Sequence, residues 1–264
     1  MKNFGLRMSA LMLALAAQSA AAYDKNVDLK NTGTTTAYDV AVVLNGTETV
    51  TATFDGYTYG PLIGHFTQRT VTPLASGDTV IHWMNIDGID APIPPGKTIH
   101  VGWSTSDCTS QVKDMYWTTK AHGRLRNSVI LDVRNNLTYT TGGFPIIDLT
   151  NVLEAQVNIR IRDVRFVVVD SPLPLEALST MNDKLMAQLR PVSEGSFVLS
   201  PGKSARFEIP VAVKEGQSLL TVYTTSPDEA QGAVSSLQSA EATHFMQRPV
   251  VGGGGGCGGQ IPNQ

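Results

Sequence analysis

Short alternating segments rich in β-branched and aromatic residues recur along this chain, and they constrain the fold more than any other feature. Apolar and polar residues alternate in each segment, which is the pattern of a strand with one buried face. Clusters of glycine, proline, asparagine and aspartate separate the segments and are typical of turns. The predicted strands are Asn26–Lys30, Tyr38–Leu44, Thr49–Phe54, Thr79–Met84, Thr98–Trp103, Asp114–Trp117, Ser128–Val133, Val157–Val169, Phe197–Leu199, Ala205–Val213 and Leu219–Tyr223. We therefore expect a mainly β protein with an Ig-like or Greek-key β-sandwich.

One short helix is expected between Pro172 and Pro191. Proline is tolerated in a first helical turn, and the residues that follow place apolar side chains at spacings of three and four. This apolar stripe consists of Leu175, Leu178, Met181, Leu185 and Leu189. The pattern predicts a helix that packs across the end of a sheet.

Residues 1–22 have the features of a signal peptide. Lys2 and Arg7 precede the apolar stretch Met8–Ala17, and Ala20–Ala22 supplies small residues for cleavage. We expect the mature protein to begin near Tyr23 and to be exported, either to the cell surface or outer membrane, into the medium, or into the periplasm. No later apolar run is long enough for a transmembrane segment.

The remaining chain is predicted to form a β-sandwich domain over residues 23–225 and a disordered, glycine-rich tail over 226–264. His244 falls in that tail and is expected to have no structural role. Cys257 stands among seven glycines in the run Gly252–Gly259, and export permits a disulfide. Cys257 could pair with Cys108, link to another molecule, or stay a free thiol, and the sequence does not choose between these.

A weak internal repeat suggests how the domain is built. Ile93–Val101 resembles Leu199–Phe207, because both run from an apolar residue through a turn and a Pro-Gly-Lys sequence into an alternating strand. Two Greek-key halves, about 23–150 and 151–225, would explain the repeat, and so would one turn type used twice.

Composition and motifs exclude several functions. The chain carries 20 basic and 23 acidic residues with no basic block, which argues against a nucleic-acid partner. The triplet Gly96–Thr98 lacks the upstream glycine of a phosphate-binding loop, and Gly56–Gly60 has threonine where a hydrolase elbow needs serine. No zinc-protease motif and no paired-cysteine motif occur. The protein is predicted not to be an enzyme, although paired carboxylates of a secreted hydrolase stay open.

Two histidines in adjacent predicted strands are the strongest candidates for a functional site. His82 and His100 flank a turn-rich segment, so a hairpin symmetric about Ala91 would place them directly opposite each other. Their apolar neighbours would face the core, and both imidazoles would share the outer face. Opposed Cβ atoms lie about 4.5–5.5 Å apart, which lets two imidazoles reach one metal ion.

The neighbouring side chains refine the choice of metal. Met84 would add a thioether on the same face, and imidazole with soft sulfur favours copper, as Cu(I), over calcium or magnesium. His65 and His122 lie in loop-like sequence and are weaker candidates for a third ligand. The predicted cofactor is therefore one copper ion.

These segments resemble the copper-repressible, copper-binding surface proteins of methane-oxidising bacteria, the CorA/MopE-like family. The resemblance rests on export, acidic β-rich composition, and three tryptophan-containing segments around Trp83, Trp103 and Trp117. It implies one Cu(I) held by two histidines, here His82 and His100, and by a tryptophan oxidised to kynurenine, here one of the three. The family places that tryptophan two residues before a ligand histidine, a spacing that this sequence lacks.

The sequence thus predicts an exported cell-surface protein that captures one soft metal ion through paired strand histidines. The alternative is a non-catalytic adhesive or matrix protein, which associates with itself or the cell surface through its cysteine-containing tail. A secreted hydrolase is the third possibility.

Overall fold

The structure is a computed structural model, and it describes residues 23–46, 50–55, 66–87, 89–106, 111–153, 157–173, 183–228 and 236–250. Several predictions fall outside these ranges. They are the signal peptide, His65, Cys108, Cys257, the glycine-rich end of the tail and most of the predicted helix.

The described residues are mainly β, which confirms the predicted fold class. The strands are β1 (Tyr23–Asn31), β2 (Asp39–Leu44), β3 (Val50–Asp55), β4 (Gln68–Pro73), β5 (Thr79–Met84), β6 (Thr98–Thr105), β7 (Val112–Thr118), β8 (Arg134–Tyr139), β9 (Pro145–Thr150), β10 (Ile159–Val169), β11 (Arg190–Pro191), β12 (Ser196–Leu199), β13 (Ser204–Glu208), β14 (Ser218–Pro227) and β15 (Ala240–Pro249). One helical turn, α1 (Asp183–Met186), lies in the region predicted as helix. The part of the chain that the structure describes contains no apolar helix of membrane-spanning length.

Antiparallel pairing arranges the described strands in three sheets. Sheet one has the order β11-β10-β14-β15-β1-β6-β3, with β12 also beside β10. Sheet two has the order β4-β5-β2-β7, and sheet three has the order β13-β9-β8. Sheet one is long enough to cover both of the others, so it is common to two sandwich-like halves.

Each half has its own apolar core. In the first half, β1 and β6 of sheet one pack against sheet two, and Trp83 meets Trp103 across the gap with ring centroids 6.0 Å apart. In the second half, β10 and β14 pack against sheet three through residues such as Ile161 and Leu149. The second core already includes Leu131, so the boundary predicted near residue 150 lies too far along the chain.

The same asparagine arrangement closes both halves, and we call it the asparagine clasp. Asn31 is the last residue of β1, and its side-chain amide donates to the carbonyls of Thr35 (3.0 Å) and Ile93 (2.9 Å). Its backbone N–H donates to Lys97, and its carbonyl accepts from Gly96. The clasp therefore fastens the start of β6 to the end of β1.

Asn151 repeats every one of these contacts in the second half. Its amide donates to the carbonyls of Val157 and Leu199, both at 2.9 Å. Its backbone N–H donates to the carbonyl of Lys203, and its carbonyl accepts from the N–H of Gly202. The turn glycines of the two halves, Gly96 and Gly202, both have positive φ, which glycine adopts without strain. The repeat in the sequence therefore reflects two halves that are built in the same way, and it extends beyond one turn type used twice.

The stretch predicted as a tail contains a central strand, so that prediction is wrong for residues 240–249. β15 pairs with β1 on one side and with β14 on the other, and it joins the two halves within sheet one. Its small residues Ala240 and Ala242 are fully buried in the first core. Burial here comes from the strand's position, because its sequence lacks a strong apolar alternation.

His244 on β15 is buried completely, which corrects the expectation that it has no structural role. Its ring stacks on Tyr223 with centroids 4.9 Å apart, and its Nε2 atom lies 2.9 Å from the Thr225 hydroxyl. Burial disfavours the charged ring and lowers the pKa of His244 to about 4, against the opposing charge of Asp132.

Because His244 is buried in its uncharged form, we expect the free energy of unfolding to fall on acidification. Between about pH 6.5 and pH 4 the unfolded chain binds a proton at His244 that the folded chain does not, so folding loses up to about 3 kcal/mol across that window. Urea unfolding at pH 7, 6 and 5 measures the loss, and the pH slope should be shallower for His244→Gln. Parallel pH profiles for the two proteins would contradict the assignment.

Candidate metal centre

The predicted pairing of His82 with His100 is wrong. β5 and β6 belong to different sheets, so His82 lies opposite Ala41 and Thr70, whereas His100 lies opposite Asp28. The segment between the strands crosses from sheet two to sheet one instead of turning back in a hairpin.

The alternation of each strand was nevertheless predicted correctly. Trp83 on β5 and Val101 on β6 both face the first core, but they face it from opposite sides. The alternating residues His82 and His100 therefore lie on opposite outer faces of the sandwich. Since packed sheets are about 10 Å apart, the two imidazoles cannot share one ion.

His100 has a self-contained environment. Its Nδ1 atom contacts the Asp28 carboxylate, and its ring lies 5.4 Å from that of Phe54. The side chain is almost completely buried, and its Nε2 atom has no hydrogen-bond partner. The described surroundings of His100 thus provide one carboxylate and an aromatic cover, with no second imidazole.

His82 and the weaker candidate His122 meet at a residue that the sequence analysis missed. The side chain of Asp39, at the start of β2, is fully buried on the outer face of sheet two. Its Oδ2 atom lies 2.8 Å from Nδ1 of His122 and 3.3 Å from Nε2 of His82. The two rings are nearly perpendicular, with centroids 6.2 Å apart. We call these three side chains the Asp39 cluster.

Neighbouring groups fix the orientation of the Asp39 carboxylate. Oδ1 accepts from the backbone N–H of Asn85 at 2.7 Å, and Oδ2 accepts from the Thr118 hydroxyl at 2.7 Å. Burial alone would raise the pKa of Asp39, but the contacts with His82, Asn85, Thr118 and His122 together hold it below its usual value. The carboxylate is therefore ionised and pre-oriented toward both imidazoles.

Backbone geometry at His122 also points to a role for its side chain. His122 adopts φ +62° in a tight turn after β7, where its N–H donates to Thr119. This left-handed conformation is uncommon for residues other than glycine, although Asn, Asp and His adopt it more often than the rest, and it is enriched at functional sites. About half of the side chain is exposed, whereas that of His82 is mostly covered.

The Asp39 cluster is a hydrogen-bonded group as it stands. In the described parts of the chain, no three His, Cys, Asp or Glu side chains have the arrangement of a ready-made metal site. Nε2 of His82 is buried and lacks a hydrogen bond of good geometry, although it lies close to Asp39. Met84, the predicted thioether ligand, is half-buried two residues from His82 on the same face.

All three tryptophans are core residues. Trp83 and Trp117 are fully buried and Trp103 nearly so. Trp83 points away from His82, and its indole N–H donates to the carbonyl of Phe54 at 2.9 Å. The oxidation of any of the three to kynurenine stays a prediction.

The chain was compared with protein-family models, curated proteins and solved structures, and no significant match was found in any of the three. The functional argument therefore rests on the geometry of the described residues.

Proposed function

We propose that this protein captures one divalent metal ion, foremost Cu(II), at the Asp39 cluster. The observation that carries the proposal is the convergence of His82 and His122 on one oxygen of a buried carboxylate. Such a set of two imidazoles and a carboxylate replaces the pair of imidazoles that the sequence predicted. His82 is retained from that prediction, and His100 is replaced by His122 and Asp39.

The distances within the Asp39 cluster are close to those between the ligand atoms of a metal site, in which the ion would replace the protons shared by these side chains. Bonds near 2.0 Å place adjacent ligand atoms about 3 Å apart, close to the 2.8 Å and 3.3 Å separations at Oδ2 of Asp39. The exposed ring of His122 is free to adjust by side-chain rotation, since it is the least enclosed member. Thr118 and Asn85 would hold the carboxylate as outer-shell partners.

The donor set determines which ions compete. Imidazole nitrogen and carboxylate oxygen suit Cu(II), Ni(II) and Zn(II) better than calcium or magnesium, and copper binds most tightly among these by the Irving–Williams order. The thioether of Met84 would favour Cu(I) only if it turned into the cluster. The half-exposed ring of His122 also gives the ion a route to the cluster from solvent.

Calorimetric titration of the purified protein with Cu(II) tests the proposal. We expect one ion per chain, with proton release because imidazole must be deprotonated to bind. Removing a ligand in His82→Ala or His122→Asn should weaken binding by at least about 100-fold, more than loss of an outer-shell partner does. His122→Asn keeps a residue that tolerates positive φ.

His100→Gln is the matched control, because it changes a histidine on the opposite outer face. Copper affinity should survive in this variant. Wild-type affinity in both cluster variants, or loss of copper in the His100 variant alone, would overturn the assignment. Thermal unfolding of every variant verifies that it is folded.

A further inference from the structure

A second cluster of buried titratable groups lies where the two halves join, remote from the Asp39 cluster in the fold. The Nζ atom of Lys25 on β1 contacts Oδ2 of Asp132, which precedes β8. Lys25 is 8% exposed and Asp132 is 2% exposed. The two residues are 107 positions apart in the sequence, so the contact joins distant parts of the chain. Lysine and aspartate side chains are almost never buried to this degree unless they are paired with each other or with another charge.

We propose that Lys25 and Asp132 become joined by a side-chain amide bond. The uncharged Nζ of Lys25 attacks Cγ of the protonated Asp132 carboxyl, and a tetrahedral intermediate forms. The C–O bond then breaks, the amine loses one proton to the departing hydroxyl, and one water molecule leaves. The step needs no oxidant, reductant or co-substrate.

Burial favours the reactive neutral pair. Loss of solvation lowers the pKa of Lys25, against the attraction of Asp132. The pKa of Asp132 is itself held low by Lys25 and His244, against its burial. Proton transfer within the contact therefore gives the neutral amine and carboxylic acid as a minor form, which suits a single slow event in each molecule.

His244 is placed to handle the proton. The Thr225 hydroxyl donates to the carbonyl of Leu131 at 2.7 Å, so it accepts from the Nε2–H of His244. This leaves the Nδ1 lone pair, which has no hydrogen-bond partner, 3.5 Å from Oδ1 of Asp132. A lone pair facing a carboxyl oxygen is best satisfied when that carboxyl carries a proton.

Two further features assist the reaction. The Tyr223 hydroxyl lies 3.4 Å from Oδ1 of Asp132, where it can donate to negative charge that develops during attack. A cavity of about 40 Å³, bordered by both Lys25 and Asp132, has room for the released water.

The bond would close a loop over residues 25–132, which contains β2 to β7 and most of β1. It would tie the first strand of the protein to the segment that opens the second half, and so resist separation of the halves. The inference is independent of metal binding, because no member of the Asp39 cluster contacts these residues.

Mass spectrometry of the purified protein, digested after denaturation, tests the proposal. We expect a branched peptide that joins residues 25 and 132 and is lighter by one water than the sum of its two linear peptides. Lys25→Arg keeps the positive charge but should yield only linear peptides. Lys113→Arg changes the lysine of the half-exposed pair with Asp78 and should retain the branched peptide.

Linear peptides of full mass at both positions in the wild-type protein would overturn the proposal. This outcome is readable without any variant, so a folding defect in Lys25→Arg cannot obscure it. Copper titration is a separate measurement, and failure of either result leaves the other intact.

Discussion

Replacement of Trp83 by alanine is expected to lower the free energy of unfolding by about 3–5 kcal/mol, the range for deletion of a large buried aromatic side chain. Trp83 is fully buried in the first core and packs against Trp103 of the facing sheet. The substitution also removes the indole donor to the carbonyl of Phe54. Equilibrium urea unfolding, followed by circular dichroism, measures the change.

A matched control for this prediction lies on the edge strand of sheet two. Val71 on β4 is 45% exposed, and Val71→Ala should change the free energy of unfolding by no more than about 0.5 kcal/mol. If both substitutions had similar small effects, Trp83 would not lie at the contact between two packed sheets.

Loss of an asparagine clasp is the second large effect that we expect. Asn31→Ala or Asn151→Ala leaves two carbonyl acceptors without their side-chain donors, at about 1–3 kcal/mol for each acceptor that stays buried. Each substitution should therefore destabilise the protein by about 2–5 kcal/mol. Because the two clasps share no partner, the double variant should show the sum of both effects.

Two comparisons sharpen this test. Asn151→Asp keeps the oxygen that accepts from Leu153 but puts a second oxygen against the carbonyls of Val157 and Leu199, so it should be at least as unstable as Asn151→Ala. Asn136 on β8 is exposed, and Asn136→Ala should be almost neutral. Full stability of either clasp variant would contradict a shared closing device in the two halves.

Local sequence pattern predicted several strands well, because alternation reports which face is buried. It was wrong for Ser128–Val133, where Ser128 forms only an isolated bridge, and it missed β4, β8 and β9. β5 was predicted with its observed bounds, and His82 was placed on the correct outer face. β15 was missed because most of its residues are small or polar, among them Ala240, Ala242 and His244. Its central place in sheet one depends on pairing with β1 and β14, and no local pattern contains that information.

The candidate site could be predicted only in part, for the same physical reason. Alternation specifies the face of a strand but not its partner, so the sequence could not distinguish a hairpin of β5 with β6 from a crossover between sheets. His122 was recognised only as a weak candidate in a loop. Asp39 gave a faint signal as a charged residue directly before the apolar run of β2, and only the fold shows it to be buried.

The location of copper in a crystal soaked with Cu(II) tests the account most directly. Anomalous diffraction at the copper edge should give one strong peak, within bonding distance of His82, His122 and the Asp39 carboxylate. A peak beside His100 instead, or none at the Asp39 cluster at saturating copper, would contradict the proposed function.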